Sequence, residues 1–301
     1  MESRLVLGAF LLVAAYFGYI LLWIAVTQAR FFAWHRRNAS HILPLGGLGW
    51  ASFYLRTIAS ILRLTWWWAT APSGRPLPKS VGAGDSGPDA VVLCIHGFHM
   101  DGSCFWGLRN RLARQGWTSF AVDLGLPYRK PEIYARALHR DLATLAAAFP
   151  AARIDVVAHS MGGLVLRHVL GEASALAARI DRIVTLGTPH QGTALLGWFR
   201  HGQVYRMMSR ESEYLKHLPP LADSAPGARV TTLASAHDLL VYPVECAHLE
   251  HARRITIEAV GHLGLLTDAG VHARVAELLA APSAPGAGEA GHGSPEQQHS
   301  Q

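Results

Sequence analysis

The sequence predicts an α/β fold: a doubly wound, mostly parallel sheet with helices on both faces. Two observations predict it. Short, nearly continuous apolar runs alternate with helical patterns along residues 90–281, as strands buried on both faces by crossover helices require. Small and chemically active residues then cluster just after these runs, where the carboxyl ends of parallel strands hold functional loops.

The runs are "AVVLCI" (90–95), "TSFAVD" (118–123), "IDVVAH" (154–159), "RIVTLG" (182–187), "VTTLAS" (230–235) and "RITIEAV" (254–260). Between the second and third, Ile133, Ala137, Leu138, Leu142, Leu145 and Phe149 fall on one face of a helix, with Pro131 near its start. "HGFHMDG" (96–102) follows the first run and Ser160 the third. "TPHQGT" (188–193), "AHD" (236–238) and "GHLGLL" (261–266) follow the fourth, fifth and sixth.

Upstream, Leu5–Val26 contains no charge and as a helix would measure about 33 Å, close to a bilayer core. No small-residue cleavage pattern follows it, so a span over 5–27 is expected to be an anchor and not a removed signal. A second apolar stretch, 45–69, contains Arg56 and Arg63 and ends in "TWWWAT". It is expected to be a second span or a helix lying in the interface, where tryptophan settles and arginine snorkels. With "RFFAWHRR" cytoplasmic by the positive-inside rule, the one-span and two-span arrangements put the remainder on opposite sides of the membrane. Residues 1–70 are thus a membrane anchor and 71–89 a Pro/Gly/Ser linker. The folded domain is 90–281, and the tail 282–301 has nothing to bury and is expected to be disordered.

The net charge of +6 owes much to Arg30, Arg36, Arg37, Arg56 and Arg63, beside or within the apolar N-terminal stretches. That favours anionic lipid head groups as partners over nucleic acid, for which no basic run interleaved with aromatics exists in the domain. Cys94, Cys104 and Cys246 lack metal-ligand spacing, and the 17 histidines are scattered with no paired motif. Neither a metal nor any other cofactor is expected.

Ser160 lies in "AHSMGG", followed by Gly162 and Gly163. This fits a nucleophile elbow in which small neighbours let a strand turn sharply into a helix and expose the hydroxyl. The usual G-x-S-x-G pattern has Ala158 in place of its first glycine. A serine needs a base and the base an orienting acid. His262 and Asp238 follow the last two strands in the order Ser, Asp, His expected for this architecture. Glu245, Glu258 and Asp268 are the competing acids; their placement fits less well. Met161 N–H at the helix start and Phe98 N–H after the first strand are the candidate oxyanion donors. His96 is read as a brace for that loop, and His159 and His190 as structural or pocket-lining.

Taken together, "HGF", "AHSMGG", "LGTPHQGT", "SAHDLLV" and "VGHLGLL" resemble the α/β-hydrolase superfamily, specifically bacterial class 2, triacylglycerol lipase-like enzymes and esterases. "AHSMGG" and "GHLGLL" are similar to the small subfamily of minimal Bacillus lipases, in which alanine also replaces the first elbow glycine. The resemblance covers about two-thirds of the chain. It implies the α/β-hydrolase fold, Ser160 as nucleophile, Asp238 as acid, His262 as base, and the Phe98 and Met161 amides as the oxyanion hole.

Two departures stand out: the N-terminal anchor and the insert 194–223 between the fourth and fifth strands. Trp198, Phe199, Tyr205, Met207 and Met208 of the insert, with His159, are the candidate substrate-binding residues, the insert forming a cap or lid. The anchor with "HSMGG" is also similar to membrane-bound lipid deacylases. The expectation is a serine hydrolase of lipid-like esters in a bacterial inner membrane. Acyl transfer, amide cleavage and a non-catalytic membrane scaffold are the alternatives.

Overall fold

The computed structural model of the protein describes residues 2–38, 44–72, 88–198 and 202–281. Its strands are β1 Ala90–Ile95, β2 Thr118–Ala121, β3 Arg153–His159, β4 Ile180–Leu186, β5 Arg229–Ser235 and β6 Arg253–Ile257. Its helices are α1 Glu2–Arg37, α2 Gly46–Thr70, α3 Trp106–Arg114, α4 Pro131–Ala148, α5 Met161–Glu172, α6 Ser174–Ala177, α7 Gln203–Met208, α8 Glu213–His217, α9 Leu221–Ser224 and α10 Ala269–Ala280. Most of the expected linker (73–87) and all of the tail (282–301) lie outside the described residues.

The strands form one sheet in the order β2-β1-β3-β4-β5-β6, with every neighbouring pair parallel. Each corresponds to one of the six apolar runs. β1 is buried throughout: Val91, Leu93 and Ile95 enter one core with α4 and α5, while Val92 and Cys94 enter another with α3 and α10. This is the two-residue alternation of a strand covered on both faces. The chain leaves β1 for the edge strand β2 and returns across β1 to β3. The loops after β1 and β3 therefore run in opposite directions and open a crevice at their carboxyl ends.

The insert after β4 folds into α7, α8 and α9, whose Met207, Met208, Leu218 and Leu221 join the α4–α5 core. Arg167 of α5 ties down its far end, donating to the carbonyls of Leu218 (3.2 Å) and Pro219 (3.2 Å), and to that of His190 (3.0 Å).

The N-terminal region is a helical hairpin. Tyr16 of α1 meets Thr65 of α2 in a 2.5 Å hydrogen bond, and Phe32 meets Trp50 with ring centroids 5.2 Å apart, so the helices run antiparallel. Along α1, Ile20, Ile24, Thr27, Phe31 and His35 are buried, a stripe at helical spacing. Among the described residues no helix is long and apolar enough to cross a membrane. The side chains of 5–14, in the expected span 5–27, lie outside the described residues.

The stretch expected to span a second time or to lie in the interface is α2, and its inner face is seated on the folded domain. Phe53 packs with Phe31, Leu239 and Tyr242. Thr267 donates to Ser60 Oγ at 2.8 Å, and Arg63 Nη1 donates to the Thr267 carbonyl at 2.9 Å. Further along, Trp67 lies so close to Gly107 of α3 that a Cβ there would fall 2.7 Å from the indole. The inner stripe Phe53, Thr57, Ser60 holds two small polar residues, so in the sequence it looks like an interruption of an apolar run.

Phe53→Ala should therefore cost about 3 kcal/mol, in the range for emptying a buried aromatic site. Leu55→Ala, on the outward face, should stay within about 0.5 kcal/mol of the wild type. Denaturant unfolding of the full chain in detergent compares the two.

Candidate active site

Ser160 stands between β3 and α5 with φ 54° and ψ −128°, a left-handed conformation that a residue with a Cβ adopts only when its surroundings impose it. Its N–H donates to the Leu186 carbonyl at 2.9 Å, and its own carbonyl accepts from Gly163 N–H at 3.1 Å. The glycines around it have no room to be anything else. A Cβ at Gly97 would fall 2.9 Å from Ser160 Cβ and 3.0 Å from His159 Nδ1. At Gly162 it would meet the Ile95 and His96 carbonyl oxygens at 2.6 Å, and at Gly163 the Thr188 hydroxyl at 2.3 Å. The segments after β1, β3 and β4 thus meet at this one corner.

Both candidate oxyanion donors lie there. Met161 opens α5, and the first N–H groups of a helix have no intrahelical acceptor. Phe98 follows Gly97, whose close approach brings its loop against Ser160. His96 braces this loop: its Nε2 accepts from Leu124 N–H at 2.9 Å, which leaves Nδ1–H to donate to the Gly97 carbonyl at 2.8 Å.

His262 begins a 3-10 turn, His262–Leu266, after β6. Its Nδ1–H donates to Asp238 Oδ2 at 2.6 Å, with both side chains buried. Asp238 Oδ1 accepts the N–H groups of Leu240 (2.8 Å) and Val241 (2.9 Å), so three donors fix the carboxylate. The Ser235 hydroxyl donates to the Val260 carbonyl, tying the end of β5 to the His262 segment.

His159 carries the neighbourhood of Ser160 to His262. Its Nε2–H donates to the His262 carbonyl at 3.2 Å, and the two rings lie 4.6 Å apart. Burial, with the neighbouring His262 charge, holds the His159 pKa well below the ordinary imidazole value. His159 therefore stays neutral beside the base. Burial, with the Arg167 charge, does the same to His190, which meets the Thr185 hydroxyl at 3.1 Å.

The candidate substrate contacts divide. The side chain of Trp198 and all of Phe199 lie outside the described residues. Met207 and Met208 are 1% and 8% exposed in the α4–α5 core, so they serve as packing beneath the insert and not as an open wall. The reason is local: α7 is two turns long and turns both methionines toward α5. Tyr205 lines a cavity of about 580 Å³ with Lys130, Pro131 and Tyr214, between the insert and α4.

A ring cluster at the oxyanion loop is not legible in the residue pattern. Phe98 packs edge-on against His99 (4.9 Å) and Tyr128 (5.0 Å), and His99 Nε2 meets Tyr128 OH at 3.3 Å. His99 and Tyr128 both have positive φ, 59° and 64°, a conformation that no residue pattern announces for histidine or tyrosine. Among the described residues no group of three or more side chains is placed to hold a metal ion.

A protein-family model described as a domain of unknown function, DUF7379, matches residues 125–241. Among solved structures, Aspergillus fumigatus lipase B is similar with a TM-score of 0.58 at 14% identity, over 70% of this chain and 57% of that one. Mature Bacillus licheniformis lipase BlEst2 is similar with a TM-score of 0.51 at 15% identity, over 66% of this chain and 96% of that one. Its propeptide form gives 0.53 at 18%, over 69% and 54%. This chain therefore spans little more than half of the Aspergillus protein. These likenesses, with the parallel sheet, establish the α/β-hydrolase fold.

The buried neutral histidines set a pH dependence. In the unfolded chain His159 and His190 take up protons below about pH 6.5, whereas in the fold their pKa values are depressed. The stability they contribute is present above about pH 6.5 and is lost as pH falls, by up to about 1.4 kcal/mol per pH unit for each group. Urea midpoints between pH 8 and 5 should follow this slope, and His190→Gln should flatten it.

Proposed function

We propose that the protein is a membrane-associated serine hydrolase cleaving carboxylic esters of lipid-like substrates. The observation that carries this reading is the buried His262–Asp238 hydrogen bond of 2.6 Å, linked through the His159 ring to the corner where Ser160 is strained at φ 54°. A hydroxyl at its ordinary pKa is a poor nucleophile. An imidazole whose Nδ1–H is fixed on a carboxylate is the base that activates it through Nε2.

In this reading His262 Nε2 takes the Ser160 proton as Oγ attacks the acyl carbon. The charge that builds on the carbonyl oxygen is met by the Phe98 and Met161 amides. His262 then protonates the leaving alcohol, and a water activated by the same ring releases the acid from the acyl-enzyme. His159, neutral and bonded to the His262 backbone, keeps the base in place without competing for its proton. The class 2 lipase resemblance of the motifs and the lipase names of the structural neighbours support an ester substrate.

The hairpin supports attachment to a membrane surface, in a bacterial cell the inner membrane. Leu48, Leu55, Leu62, Trp66 and Trp68 of α2 and Tyr19, Leu21, Leu22 and Val26 of α1 are exposed apolar side chains. Because α2 is seated on the folded domain and pairs with α1 from Tyr16 onward, a perpendicular crossing of the paired segment would draw the domain into hydrocarbon. A hairpin lying in the head-group region keeps it out.

The test is hydrolysis of p-nitrophenyl esters from acetate to palmitate by the full chain in detergent. Ser160→Ala should lose about 10³-fold or more in kcat, and Asp238→Asn about 10²- to 10⁴-fold, with folds intact by circular dichroism. The lipid-like reading expects the optimum among the longer chains. A folded wild type that is inert on every ester and unlabelled by a serine-directed phosphonate would sink the proposal.

A further inference from the structure

Where α2 meets the His262 segment, a groove of about 190 Å³ is lined by Arg56, Ser60 and Arg63 on one side and by Gly261, Gly264 and Thr267 on the other. The two arginines are seven residues apart and so lie two helical turns apart along one edge of α2. Both are exposed, and neither forms an ion pair with a carboxylate among the described residues. Asp268, which also lines the groove, is already engaged by the N–H groups of Gly270 (2.8 Å) and Val271 (3.1 Å) as the cap of α10. Immediately beside the arginines, Leu48, Leu55 and Leu62 repeat every seven residues along the same helix, and Trp66 extends their edge.

We propose that this groove binds the phosphate of an anionic phospholipid. Arg56 and Arg63 take the phosphate oxygens while the adjoining leucine and tryptophan edge lies among the acyl chains. Two uncompensated guanidiniums attract a phosphate, and guanidinium geometry matches phosphate oxygens in pairs of hydrogen bonds. The apolar edge lies about 100° round the helix from the arginines, so acyl chains on that edge set a phosphate in the groove at the depth where head groups sit. The site touches Gly261 and Thr267, which flank the 3-10 turn carrying His262, so a bound lipid would rest against the segment that holds the candidate base. The inference rests on the membrane attachment proposed above and is independent of the ester chemistry.

Native mass spectrometry of the full chain in detergent, with equimolar phosphatidylglycerol and phosphatidylcholine of the same acyl chains, tests it. One phosphatidylglycerol should be retained with a preference of about tenfold, the scale of two basic contacts to an anionic head group. Arg56→Gln should reduce that preference to about twofold or less; it leaves the Arg63–Thr267 hydrogen bond in place, so folding is not at stake. Arg36→Gln with Arg37→Gln, at the end of α1, should leave the preference unchanged. Equal retention of both lipids, or an unchanged preference in Arg56→Gln, overturns the groove while leaving membrane attachment standing. Retention of neither lipid overturns both. A thermal shift from inorganic phosphate alone as large as that from phosphatidylglycerol would assign the groove to free anions and overturn the lipid. None of these outcomes depends on whether the ester assay succeeds.

Discussion

Everything near Ser160 depends on backbone approaching backbone without a side chain between. The segments after β1, β3 and β4 converge so closely that Gly97, Gly162 and Gly163 leave no volume for a Cβ. This crowding is what holds Ser160 in a left-handed conformation, since the corner has no slack through which the chain could relax into an ordinary turn. It also decides where the amides of Phe98 and Met161 lie. The sheet order supplies the cause: β1 leads outward to the edge strand β2 while β3 leads the other way to β4, so the loops leaving β1 and β3 must separate, and the crevice forms where they do.

The second half of the site is assembled differently. Asp238 and His262 come from loops after β5 and β6, and polar contacts fix them where the serine side relies on crowding. Two amides and an imidazole take up the carboxylate of Asp238, and the Ser235 hydroxyl closes onto Val260. His159 joins the two halves, belonging by sequence to the serine corner and by hydrogen bond to the His262 backbone. Its neutrality follows from burial, and it lets two histidine rings lie 4.6 Å apart without repulsion. Distant parts are tied to this assembly by a few polar side chains: Arg167 holds the insert through the Leu218 and Pro219 carbonyls and the loop before it through that of His190, and α2 reaches the His262 segment through Ser60 and Arg63.

The sheet was legible because β1, β3 and β4 are covered on both faces and so read as unbroken apolar runs. The positions of Ser160, Asp238 and His262 were legible because parallel strands put their loops at one end. What could not be read depends on packing between distant segments. Phe53, Thr57 and Ser60 look like part of a membrane-lying helix until the domain surface that receives them is known. Met207 and Met208 look like a greasy pocket wall, but a two-turn helix on α5 buries them. His99 and Tyr128 carry no pattern at all, since a left-handed histidine or tyrosine arises only from its surroundings.

The hairpin meets the folded domain through a buried ring cluster, Phe31 and Phe53 with Leu239 and Tyr242, and through the hydrogen bonds of Ser60 and Arg63 with Thr267, and this contact need not be strong enough to join two separate proteins. Only the chain between Pro72 and Pro88 separates α2 from β1. A tether that short makes docking an intramolecular event, with an effective concentration on the order of millimolar. Contacts too weak to join two separate proteins then suffice to keep the hairpin in place.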